Sequence, residues 1–89
     1  MKEKVYMVCD YADTKAKTMG ALEIGVEFMG NCGGRILKGD GSLIGSHHSS
    51  SFGWLREDLK YKLKDLGGES AFEIIDLIGQ EIPDRFKRS

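Results

Sequence analysis

The sequence predicts an α+β fold: a four- or five-stranded, mainly antiparallel sheet with one main helix packed on it. Three patterns predict it. Leu22, Ile24, Val26 and Phe28 alternate with Glu23, Gly25 and Glu27, the period of a strand with one wet face. Asp40-Gly41 between apolar runs signals a hairpin turn. Phe52, Leu55, Leu59, Leu63 and Leu66 recur at steps of three and four, the stripe of an amphipathic helix.

Taken in order, Lys4 to Tyr11 is the first strand. Val5, Met7, Cys9 and Tyr11 share one face and Tyr6 and Val8 the other, so both faces are apolar and the strand belongs inside a sheet. Asp10 to Gly20 is polar and reads as a loop with at most one helical turn. Ala21 to Met29 is the second strand. Gly30-Asn31-Cys32-Gly33-Gly34 then reads as a turn, because these residues tolerate positive φ.

Arg35 to Ser46 forms the hairpin. With Asp40 and Gly41 as a two-residue type I′ loop, Lys38 faces Leu43, Leu37 faces Ile44, Arg35 faces Ser46 and Gly33 faces His48. Arg35, Leu37, Ile44, Ser46 and His48 then share one face, and His47 takes the other. The helix follows over Phe52 to Leu66, capped by Ser49, Ser50 or Ser51 and stopped by Gly67-Gly68.

The last segment carries two signals. Ser70-Ala71-Phe72-Glu73 matches a capping box for a short helix ending at Gly79, whereas Phe72 to Ile78 is rich in β-branched and aromatic residues. The balance favours a strand returning to the sheet after the helix. Pro83 ends it, and residues 83–89 read as a tail that Phe86 could tack to the core.

Eighty-nine residues make one domain, spanning 1–89, with a modest core. A net charge of −1 provides no basic field for duplex nucleic acid. No run nears the roughly 18 apolar residues of a membrane span. Met1 to Val5 lacks the apolar stretch of a signal peptide, so the expected compartment is cytoplasmic and Cys9 and Cys32 are expected to be reduced. More apolar groups line the expected sheet than one helix covers, which predicts a homo-oligomer.

The chemistry concentrates in Ser46-His47-His48-Ser49-Ser50-Ser51, where strand meets helix. A helix N-terminus presents unpaired N–H groups and partial positive charge, which favours anions. Arg35 across the hairpin would add a planar fork of donors. Gly33 and Gly34 would let a ligand approach the backbone, and Trp54 or Tyr11 could stack a base. The expected ligand site is therefore Arg35, Ser46, His47, His48, Ser49, Ser50, Ser51 and Trp54. Its expected function is non-catalytic: binding a small phosphorylated or nucleotide-like ligand, by sequestration or sensing.

The competing expectation is a small protein-interaction module, an inhibitor or adaptor of the kind viruses encode, with no small-molecule ligand. Trp54 and Tyr61, seven residues apart and off the leucine stripe, are its anchors. An enzyme ranks third. His47-His48-Ser49 resembles one motif of the two-histidine phosphoesterases, but those enzymes set two such motifs face to face and this chain has one locus. No cofactor and no metal are expected, since adjacent histidines on a strand point apart and a structural zinc wants about four ligands.

Overall fold

Four strands, β1 (Glu3–Ala12), β2 (Met29–Lys38), β3 (Leu43–Ser51) and β4 (Phe72–Asp76), form one sheet of order β3-β2-β1-β4. This is seen in the computed structural model, which describes residues 2–12 and 29–87. The strand expected over 21–28 and most of the loop expected before it lie outside the described residues.

The sheet is mixed rather than mainly antiparallel. β2 runs antiparallel to both β1 and β3, but β4 runs parallel to β1, with Glu3 opposite Phe72 and Met7 opposite Asp76. The cause is the connection: helix α1 (Phe52–Tyr61) carries the chain from β3 back along the sheet, so β4 starts at the same end as β1. The returning strand itself is as expected, with α2 (Gly68–Ala71) only a helical turn before it. Ser70 Oγ donates to the Gly67 carbonyl rather than completing a capping box.

β1 is interior, and its faces divide as its sequence predicts as far as Cys9; the bulge between Cys9 and Tyr11 then turns Tyr11 to the back face, opposite Gly33, and Ala12 packs on the helix side in its place. Val5 and Met7 join Ile36, Leu55, Leu59, Leu63 and Phe72 in a core beneath α1. Val8 joins Leu37 and Phe86 on the back face, where Tyr6, Leu77 and Ile82 pack around them. Phe86 belongs to a 3₁₀ turn (Asp84–Phe86), so the expected tail is a strap over the back of the sheet.

Helix α1 stops at Tyr61, short of the expected Leu66. Its end tightens: Lys62 N–H donates to Leu59 O and Leu63 N–H to Lys60 O. Gly67, at φ +113°, then reverses the chain, with Gly68 N–H bonded back to Leu63 O at 2.8 Å and Gly67 N–H to Lys64 O. Leu63 stays buried, whereas Leu66 is 55% exposed and not a core residue.

Two corrections concern β2 and its hairpin. Gly30 to Gly34 are not a turn; they lie inside β2. A side chain at Gly34 would collide with the Val8 carbonyl and press on Leu55, and one at Gly33 would strike the Tyr11 ring. These glycines permit close approach within the sheet. The hairpin loop is also not type I′. Only Gly41 has positive φ there, and Lys38 N–H reaches Ser42 O across a three-residue loop. Hydrogen bonds from Ser42, its hydroxyl first and then its backbone N–H, hold the Asp40 carboxyl below its ordinary range. The longer loop pairs Leu37 with Leu43 instead of Ile44, and Ile44 packs on the helix-side core. Beyond this shift the expected register holds, with Arg35 opposite Ser46 and Gly33 opposite His48.

Candidate functional site

The pairings of β1, β2 and β3 place an open cleft of about 360 Å³ at one end of the back face. Gly33 and Gly34 line its base, where the lack of a side chain at Gly33 lets the Tyr11 ring lie close against the backbone. Ser46, His47 and His48 of edge strand β3 form one wall, and Asp10 and Tyr11 of β1 form the other. A bulge between Cys9 and Tyr11 turns Asp10 out of the β1–β2 register, and the Tyr11 ring leans over Gly33.

Arg35 neighbours this cleft but does not present its donors to it. Its Nε donates to both Asp10 carboxylate oxygens, at 3.0 and 2.8 Å. Its Nη2 donates to Asp10 Oδ1 and to the Phe86 carbonyl, each at 2.7 Å. The expected free fork is therefore spent inside the protein. The arrangement still matters to the cleft, because a guanidinium in bidentate contact offsets the Asp10 charge at its wall. Arg35 is 7% exposed, and such a buried charge is tolerable only with partners of this quality.

The serine run divides in the same way. Ser46 lines the cleft. Ser51 is buried and caps α1, its Oγ accepting from Trp54 N–H at 3.1 Å. Ser49 is half-buried, with its carbonyl facing the Cys32 thiol, and Ser50 is exposed. None of Ser49 to Ser51 lines the cleft, so the anion site expected at the helix N-terminus and the cavity do not coincide. Trp54 is also outside the cleft and 63% exposed.

The two histidines differ. His47 Nε2 stands 3.1 Å from Asp58 Oδ2 of α1, a half-exposed contact of small energetic weight. His48, exposed and opposite Gly33, faces the cleft beside Tyr11. Their rings lie 6.0 Å apart. Among the described residues, no three metal-ligating side chains group together, and no helix is long and apolar enough to cross a membrane.

Asp10 is the site residue that sequence reasoning missed. Its signal was indirect: an arginine needs an acid partner once it is buried, and the burial of Arg35 comes from tertiary packing. No family model, curated protein or solved structure matches this chain.

Proposed function

We propose that this chain is a non-catalytic binding protein for a small phosphorylated, ring-bearing ligand, a nucleotide-like molecule, which it sequesters or senses. One observation carries the reading: the cleft joins an aromatic ring, a glycine-lined base, a hydroxyl and two imidazoles within about 360 Å³. Tyr11 offers its face to a planar ring. Ser46 and His48 offer donors to an anionic group, more strongly once an imidazole is protonated. The Arg35–Asp10 pair keeps the Asp10 carboxylate from opposing that group.

The test is ligand-induced thermal stabilisation across a panel of nucleotides and sugar phosphates, repeated with Tyr11→Ala and His48→Ala. Both side chains are exposed, so both variants should keep the parent melting temperature. The expected result is stabilisation of the parent protein, reduced at least about tenfold in apparent affinity in each variant. Undiminished stabilisation in both variants removes the cleft as the site. The competing reading, a protein-interaction module, draws on the exposure of Trp54 and Tyr61, and Trp54→Ala should leave this stabilisation intact.

A further inference from the structure

An edge strand leaves one row of backbone N–H and C=O groups without a ladder, and proteins guard such edges with charge, proline or bulges. The two edges of this sheet are guarded unequally. β4 carries Glu73 and Asp76 within five residues, so pairing it with its own copy crowds like charges. β3 is nine residues long and holds no charged residue that is permanently ionised and no proline, and its bulge, at Ile44, lies beside the hairpin rather than at its centre. Among the described residues it pairs on one side only, with β2.

The side chains above β3 repeat the asymmetry. Asp58 meets His47, and the Lys62 stem lies against Gly45, so this side of α1 overlooks the β3 edge. Trp54 lies one turn before Asp58 on the same stripe, and Tyr61 lies at its other end. They are 63% and 70% exposed, with Lys64 Nζ 5.3 Å over the Tyr61 ring.

We propose that β3 and this stripe of α1 together form a symmetric homodimer interface, with a second copy of this chain as its occupant. The midpoint of β3 is His47. Antiparallel pairing about it sets Ser46 opposite His48 of the other copy and joins the two sheets into one of eight strands. His47 touches Asp58, and Asp58 sits midway between the two aromatics. The same two-fold axis therefore sets Trp54 of one α1 against Tyr61 of the other, twice. One axis satisfies both the backbone edge and the aromatic pairs, as a self-complementary interface must. The acidic edges of β4 face outward, which closes the assembly at two. Ser46 and His48 also line the cleft, so the seam sets the two clefts side by side. The inference does not depend on what the clefts bind.

Sedimentation of the full chain over a concentration series tests it, with Trp54 as the sole tryptophan reporter. The expected result is a dimer whose Trp54 emission moves to longer wavelength on dilution. Trp54→Ala should weaken it at least about tenfold. The double variant Ser46→Lys/His48→Lys should be a folded monomer, as should Ser46→Glu/His48→Glu. Mixing the two should restore a dimer through opposed Lys–Glu pairs. A parent chain that stays monomeric throughout overturns the proposal. So does a dimer that ignores all three variants, because its interface then lies elsewhere.

Discussion

The two faces of the sheet are closed by different means. Under α1 the cover is a helix, and the seal is apolar: Leu55, Leu59 and Leu63 meet Val5, Met7, Ile36 and Phe72. On the back the cover is an irregular strap that lays buried Phe86 on the sheet, assisted by half-buried Leu77 and Ile82. That face relies on aromatic contact, Tyr6 to Phe86 at 5.1 Å, and on the Arg35 guanidinium gripping the Phe86 carbonyl. A regular helix satisfies its own backbone and offers a continuous apolar stripe. A strap does neither, so a buried charge on the sheet supplies the missing hydrogen bond. The cleft lies on the strap side, where Asp10 serves both the latch and the wall.

Substitutions on each face break or sharpen this contrast. Leu59→Ala under the helix should cost the most, about 2–5 kcal/mol by urea unfolding, because a fully buried side chain leaves a cavity. Arg35→Ala should cost about 3 kcal/mol, at the low end for a broken buried pair, since Asp10 retains some contact with water. The two should differ in kind as well. Leu59→Ala should loosen the whole domain, whereas Arg35→Ala should speed hydrogen exchange first at residues 82–87. Uniform exchange in both variants would mean that the strap is not a separately anchored unit.

The smallest stability effect should come from Gly33→Ala. The atoms nearest its new methyl belong to the Tyr11 ring, a side chain more than half exposed and able to swing aside. Unfolding should shift by about 1 kcal/mol or less, yet the cleft should lose its aromatic wall and its ligand-induced stabilisation. A large loss of stability here would show Tyr11 to be a structural cover instead.

What the sequence made legible was what local chemistry decides. Alternation assigned the faces of β1 as far as Cys9 but misplaced Tyr11 beyond the bulge, the leucine stripe chose the buried side of α1, and the β-branched run at Phe72 to Ile78 favoured a strand. The serine run contained the cap, although only tertiary context selected Ser51. Non-local facts were not legible. Gly30 to Gly34 have the composition of a turn, and only the nearness of Val8 and Tyr11 shows why a strand tolerates them. One extra loop residue in the hairpin reversed Ile44. For the site, Ser46, His47 and His48 were visible as a polar cluster. The engagement of Arg35 was not, because its acid lies 25 residues away on another strand.

The parallel pairing of β1 with β4 has a consequence for how the chain comes together. Glu3 lies opposite Phe72, so β1 acquires its β4 neighbour only after residues 72–76 have been made. Until then β1 shows one bare side, and the apolar residues that β4 and the strap will cover stay wet. Closing so long a loop is slow relative to forming the β2–β3 hairpin, which joins neighbours in sequence. The early hairpin would thus exist while its partner is still waiting. Glu3 and Lys4 place charge at the exposed start of β1, which discourages another strand from pairing there before β4 arrives.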